Sequence, residues 1–363
     1  MTVTPTTLPP MMKAVVLKGP FDVKVEDRPT PTVQEDTDVI IKVTMAGLCG
    51  SDLHWYRGHQ PKPYDFIVGH ETIGRIVEVG SGVTKWKVGD MVIAPFSTSC
   101  GDCFFCNKLY PARCVQVQNF GNPAVPGGQA EYFRMPLAET SLFEAPADLP
   151  QELLILMTDI LPTGYSTAMN ARRLLDEARP DDKTVPLRKE GVCVVIGCGP
   201  VGLCAITSAC TLFETVFATD LTLSRLELAT KHGAIALPAD QLEAAVLEAT
   251  EGRGADAVLE VVGHESALLQ AMKLARYYGV VSSCGVHTHD FSIPGAQLYG
   301  KNLRLQFGRC SVKTFFPYAL QVLQDNRELF KTFVEHRISF DETEEFYKLF
   351  EQNKVAKTVF VVD

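Results

Sequence analysis

The chain has 363 residues, 46% hydrophobic and 21% charged, and a net charge of −9. That composition is ordinary for a folded soluble protein, and the length suits roughly two domains, each with its own core. The acidic balance argues against nucleic acid or an anionic membrane as partner, and no run of about twenty apolar residues predicts a membrane-spanning helix.

Residues 1–12 lack a charged region followed by an apolar stretch. They read as a disordered lead-in, not a signal peptide, so a cytoplasmic location is expected. From residue 13 to about 160, short β-type runs are separated by Gly and Pro: DVIIKVTMAG (38–47), TIGRIVEVG (72–80) and GDMVIAPF (89–96). A charged segment, 172–191, begins as helix and ends as loop. Beyond it, strands and helices alternate. VCVVIG (192–197), TVFATD (215–220), DAVLEVVG (256–263) and VVSSCG (280–285) read as strands. PVGLCAITSACTLF (200–213), LSRLELATKHGA (223–234, ending at Gly233), QLEAAVLEATEG (241–252) and ESALLQAMKLARYYG (265–279) read as helices. This alternation predicts an α/β domain with a doubly wound parallel sheet. The tail from about 309 carries two helical segments and a closing strand, KTVFVV (357–362).

The strand at 192–197 runs directly into GCGPVG and the next helix. In that setting Gly197 permits a tight turn, Gly199 lets backbone approach a pyrophosphate, and Gly202 allows close helix–sheet packing. The following turn, Pro200, Val201 and Gly202, begins a helix whose free N–H groups and positive end suit phosphate. Asp220 ends the next strand, where a carboxylate can accept both ribose hydroxyls and repel a 2′-phosphate. That favours NAD, although Arg225 leaves NADP possible and a helix-capping role for Asp220 is the plain alternative.

Four cysteines, Cys100, Cys103, Cys106 and Cys114, fall on a loop rich in polar and turn residues, SCGDCFFCNKLYPARC (99–114). In a chain without a secretion signal, clustered thiols more often bind metal than form disulfides, and four sulfurs close a tetrahedral structural zinc site. Cys193, Cys198, Cys204 and Cys210, and with them Cys284 and Cys310, read as small buried hydrophobes. Cys49 and His70, in AGLCGSDLHWYRGH and IVGHETIG, are ligand types that a catalytic zinc uses. Read alone, each is more often a packed residue than a ligand; their Gly-flanked turns and the adjacent Glu71 weaken that reading without removing it.

GHE at 69–71, the C-x-S-D-x-x-H run from Cys49 to His54, the four-thiol loop and GCGPVG occur in one order. Together they resemble the zinc-dependent alcohol dehydrogenases of the medium-chain dehydrogenase/reductase family, over nearly the whole chain from about residue 13. The resemblance implies a GroES-like β-rich catalytic domain (13–160, with 309–363 returning to it) and a Rossmann NAD-binding domain (161–308). It implies two Zn²⁺ per chain, one catalytic and one structural, and hydride exchange between an alcohol or its carbonyl product and NAD. Cys49 and His70 match two catalytic zinc ligands, Glu71 an acid that can approach the metal, and Asp159 the third ligand. An aspartate there is similar to the branch with formaldehyde dehydrogenases and microbial secondary-alcohol dehydrogenases. Carboxylate is a harder ligand than thiolate and leaves the ion more Lewis acidic.

Ser51 and His54 match the family's proton relay, and Asp52 resembles the carboxylate that orients His70. Trp55 and Phe96 are candidates for the substrate wall or for ordinary core. Thr163 and Val286 match nicotinamide contacts, and Lys357 a basic residue near the pyrophosphate. Gly50 stands where some members carry a pyrophosphate-gripping arginine. The short stretch from Cys114 to GGQAEYFR implies a homotetramer in preference to a homodimer. His59, His264, His287, His289 and His336 receive no role. A formaldehyde, thiol-adduct or polyol substrate and a catalytically silent NAD-binding scaffold are the other readings.

Overall fold

In the computed structural model, which describes residues 8–60, 62–177 and 189–362, the chain divides into two units. One is Met1–Asp159 with Phe330–Asp363; the other is Ile160–Leu329.

The first unit opens with strands β1 (Met11–Gly19) and β2 (Asp22–Pro29), paired antiparallel, and β4 (Phe66–Ile67) joins the other side of β1. Its larger sheet is built on β3 (Val39–Leu48), which pairs antiparallel with β5 (Thr72–Val79) and β7 (Tyr132–Met135). Next to β5 lies β6 (Met91–Ala94), and next to that β8 (Phe143–Glu144). The sequence of β3, VIIKVTMAGL, is largely β-branched or apolar and nearly all buried, as a strand with neighbours on both edges requires. The lead-in expected over 1–12 ends sooner, because Met11 and Met12 already pair with Pro29 and Arg28; residues 1–7 lie outside the described residues.

Among the described residues, the second unit holds six parallel strands: β9 (Val192–Ile196), β10 (Thr215–Thr219), β11 (Ile235–Ala236), β12 (Ala255–Glu260), β13 (Ala275–Ser283) and β14 (Arg304–Phe307). Their spatial order is β11-β10-β9-β12-β13-β14. Numbered within the sheet that is 3-2-1-4-5-6, the doubly wound order whose direction reverses between β9 and β12. The helix expected over 265–279 stops at Leu274. ARYYG belongs to β13, where Ala275 pairs with Ala255 and Val280 with Ala257. Sheet pairing of an aromatic and β-branched run outweighs the helical periodicity. The helix Ile160–Glu177 precedes this sheet; the rest of the charged connection, 178–188, lies outside the described residues.

The chain returns to the first unit at Phe330, not at about 309. The helix Val312–Asp325 stays with the second unit because it packs on Ile160–Glu177, where Tyr165 meets Phe315 and stacks parallel with Tyr318 at 6.0 Å. The returning segment adds β15 (Val334–Ile338), the helix Thr343–Glu351 and β16 (Lys357–Val361). Strand β16 pairs antiparallel with β3, setting Thr358 opposite Leu48. Ile338, Tyr347, Phe350 and Phe360 thereby enter the same core as Val39, Ile41, Leu48 and Ile76. Among the described residues, no helix is long and apolar enough to cross a membrane.

Candidate active site

Residues 110 positions apart meet at the C-terminal end of β3. The ligand-type atoms of Cys49, His70, Glu71 and Asp159 all lie within 4.8 Å of one another. Cys49 follows β3 and precedes the helix Gly50–Tyr56; Asp52 reaches back to accept from its backbone N–H at 3.0 Å, fixing where that helix starts. His70 follows Gly69, whose φ of +93° admits glycine readily, and stands just before β5. Asp159 ends the short 3₁₀ turn Ile155–Thr158.

Asp159 Oδ2 is 3.8 Å from Cys49 Sγ and 3.4 Å from His70 Nε2. On the other side of the ring, Nδ1 lies 3.2 Å from Asp52 Oδ1. That contact turns Nδ1–H to Asp52 and Nε2 to the cluster, where a cation would take its lone pair. His70 Nε2 is buried with no hydrogen-bond partner among the described residues. Burial raises the Cys49 pKa, and the Glu71 charge raises it further. Burial opposes charge on His70, yet Asp52 and Cys49 prevail and hold its pKa well above the ordinary value. A sulfur, an imidazole nitrogen and a carboxylate, sequestered and short of positive charge, suit a zinc ion with an open position.

Glu71 is fully buried, as is Lys357, whose ammonium pairs with Glu71 Oε2 and donates to the Leu48 carbonyl at 3.3 Å. Burial raises the Glu71 pKa despite Lys357. Its other oxygen, Oε1, has no hydrogen-bond partner among the described residues. Strand β16 carries Lys357 into the core, where it is the counter-ion of Glu71. Gly47 makes room for this pair, since a Cβ there would lie 1.7 Å from Glu71 Oε2.

Ser51 is exposed, with Oγ 3.9 Å from Cys49 Sγ. His54, three residues on and so on the same side of the helix, has Nδ1 buried without a hydrogen-bond partner among the described residues. Burial, with His59 and Arg57 adding to it, lowers the His54 pKa. Trp55 packs edge-on against Phe66 and belongs to the core margin, and Phe96 is buried.

Cys100, Cys103, Cys106 and Cys114 form a second cluster within 4.8 Å. The N–H groups of Cys100 and Gln116 point at Cys114 Sγ, at 3.2 and 3.3 Å. Hydrogen bonds from the backbone of Cys106 and Val115 lower Cys103 to about 6, while burial pushes Cys106 up to about 12. The four can all be thiolates only around a cation. All eleven cysteines are free thiols; of the six read as buried, Cys210 and Cys284 are only partly so.

In the second unit, Gly197 leaves β9 with φ +97°, and its N–H donates to Thr219 O at 2.9 Å. A Cβ on Gly202 would lie 1.9 Å from Gly197 O, so the turn closes only on glycine. Gly199 caps the helix Pro200–Leu212 with open space beside it and no capping side chain. The leading N–H groups, Val201 and Gly202 among them, are those a helix cannot satisfy itself. Asp220, just after β10, accepts from Cys198 N–H at 2.8 Å and Thr222 N–H at 2.9 Å, with Arg225 3.7 Å away. Val286 is half exposed in the loop after β13, its backbone packed on Gly263 after β12. Thr163 lies in the first turn of Ile160–Glu177, and Gly164 beside it packs on Ala205 of the glycine-led helix.

Residues 35–147 match the alcohol dehydrogenase GroES-like domain, and residues 200–325 match the zinc-binding dehydrogenase domain. The zinc-type alcohol dehydrogenase B of Aspergillus flavus is 43% identical over 354 residues, 96% of this chain and 81% of that protein. The chain belongs to the zinc-dependent alcohol dehydrogenases of the medium-chain dehydrogenase/reductase family. A medium chain reductase/dehydrogenase of Acremonium sp, ucsI, is 49% identical over 77% of this dehydrogenase and 95% of its own length. The solved alcohol dehydrogenase TADH from Thermus sp. ATN1 superposes with a TM-score of 0.88 at 32% identity, covering 97% of this chain and 100% of that one. The fold is accordingly a GroES-like domain with a Rossmann domain. Sequence reasoning overlooked Gly47, Gln129 and Tyr347 around this dehydrogenase's cluster of ligand-type side chains; a glycine pair before Gln129 was the only local signal.

Proposed function

We propose that this dehydrogenase transfers hydride reversibly between an alcohol carbon and C4 of a nicotinamide dinucleotide, NAD in preference to NADP. Cys49, His70 and Asp159 would hold one zinc, and the four-cysteine loop a second. The observation that carries this reading is the convergence of those three ligand atoms in a buried site, where His70 Nε2 lies 3.4 Å from Asp159 Oδ2 and has no hydrogen-bond partner among the described residues. Bound there, zinc would supply Lewis acidity to a substrate oxygen, as NAD would supply the hydride acceptor.

The chain's own residues do the rest. Asp52 holds the ring proton of His70 on Nδ1. Ser51 Oγ takes the alcohol proton and passes its own toward His54, whose lowered pKa keeps the ring neutral and able to accept it. Lys357 neutralises Glu71, leaving two ligand anions, Cys49 and Asp159, to match a divalent cation. The Oε1 atom of Glu71 remains available to approach that cation.

The open side of Gly199 and the free N–H groups of Val201 and Gly202 receive the pyrophosphate. Asp220 keeps lone pairs for the ribose hydroxyls and repels a 2′-phosphate, while Arg225 tempers that repulsion. Thr163 and Val286 contact the nicotinamide. We place the enzyme in the cytoplasm, where the loop thiols stay reduced, as a homotetramer acting on small alcohols or carbonyls.

The test is NADH formation across primary, secondary and polyhydric alcohols and formaldehyde with a thiol, with NADP as comparison. Turnover with at least one class is expected, together with its loss in Asp159→Ala. Full activity in that variant would contradict the assignment.

A further inference from the structure

Beside the ligand cluster, Gln129 and Tyr347 are both fully buried, Tyr347 within the apolar core of the first unit. Tyr347 Oη donates to Gln129 Oε1 at 2.8 Å. Gln129 Nε2 donates to the Gly47 carbonyl at 3.0 Å and to Asp52 Oδ2 at 3.3 Å. The direction of this chain is forced. A carbonyl and a carboxylate only accept, so the amide NH₂ must face Gly47 and Asp52, and the amide oxygen must face the phenol. Asp52 then accepts from Gln129 and from Cys49 N–H on Oδ2, which leaves Oδ1 turned to His70 Nδ1.

The same residue is fastened to the backbone that carries His70. Gln129 N–H donates to Val68 O at 3.1 Å, and Gly128 N–H to Gly69 O at 3.0 Å. A Cβ on Gly69 would lie 2.4 Å from Gln129 Cγ, so the amide side chain is seated directly against the turn before His70. One carboxamide thus joins the end of β3, the start of the Cys49 helix, the His70 turn and the returning helix Thr343–Glu351. Deleting any link leaves a buried donor or acceptor unmatched, and the cheapest relief is rotation of the Asp52 carboxylate.

We propose that Gln129 and Tyr347 are positioning residues for the catalytic metal, holding the Asp52 carboxylate in the one orientation that aims His70 Nε2 at Cys49 and Asp159. The inference rests on the assignment of those three residues as zinc ligands. Partners that orient ligands in this way typically change metal affinity by about 10–100-fold when removed.

The test uses full-length zinc-loaded protein in chelator competition, with the four-cysteine zinc as internal control. Gln129→Leu is expected to weaken one of two zinc ions by about 10–100-fold and leave the other unchanged. Tyr347→Phe, which keeps the ring and removes only the donor, should weaken the same ion several-fold. Both variants should shift the visible bands of cobalt substituted at that site. They should also narrow the gap in unfolding midpoint between protein with and without the second metal. A merely structural role lowers both midpoints equally and leaves affinity and spectrum alone, and that result overturns the proposal. Should wild-type protein hold zinc only in the four-cysteine loop, the ligand assignment falls first and this inference with it. Two ions in wild type with unchanged affinities in both variants sinks the inference alone.

Discussion

Replacing Lys357 by methionine keeps an unbranched side chain, one atom shorter, and removes its charge, and it leaves Glu71 buried without a counter-ion. The two side chains are 1% and 0% exposed, so water cannot screen what remains. Breaking such a pair from one side costs about 3–5 kcal/mol, whereas neutralising both partners in similar volume is close to neutral. Lys357→Met should therefore destabilise the first unit by that amount, and Lys357→Met with Glu71→Gln should recover most of it. Both tryptophans, Trp55 and Trp86, belong to this unit, so intrinsic fluorescence follows its unfolding in urea. With a slope of about 2 kcal/mol per molar, the midpoint falls by roughly 2 M in the single variant and returns in the double. A single variant within about 0.3 M of wild type, or a double variant as unstable as the sum of two singles, would refute the reasoning.

Gly202→Ala should unfold the dinucleotide turn and abolish NAD binding, because its Cβ would meet Gly197 O at 1.9 Å. Gly199→Ala should fold normally, with open space beside it, and still lose NAD affinity in titration calorimetry; tight binding by either variant contradicts the cradle. Cys106→Ser should release one zinc per chain while retaining the Cys49-site ion, as read by metal analysis. Burial lowers the pKa of His232 to about 4 from 6.5. The unfolded chain binds that proton first, so stability is full above pH 6.5 and is lost as pH falls toward 4. The loss is about 1.4 kcal/mol per unit and about 3 kcal/mol in all. His232→Gln should flatten the fall seen by calorimetry between pH 6.5 and 4; an unaltered slope rules His232 out.

Features legible in the sequence were those written locally. GCGPVG lies between a strand and a helix, and each glycine meets a need that shows in one segment: a positive φ, an open approach, a close contact. The four cysteines likewise fall within fifteen residues, and their sulfurs converge. Asp159 was reached only through resemblance, because nothing in MTDILPTGY marks one aspartate as a ligand until it meets Cys49 across 110 positions. Gln129 and Tyr347 are 218 residues apart and touch only because β16 and its preceding helix return to β3. Lys357 has the same origin: its basic character was plain, but its burial beside Glu71 depends on which strand it pairs with. ARYYG shows the reverse failure, where a local helical pattern yields to a partner strand twenty residues away.

The central claim concerns where a second zinc sits. Anomalous diffraction at the zinc edge, on crystals of the purified protein, tests it most directly. Two peaks per chain are expected, one within the Cys100–Cys103–Cys106–Cys114 cage and one between Cys49 Sγ, His70 Nε2 and an Asp159 oxygen. A single peak in the cage, from protein that still oxidises alcohols with NAD, would contradict the account.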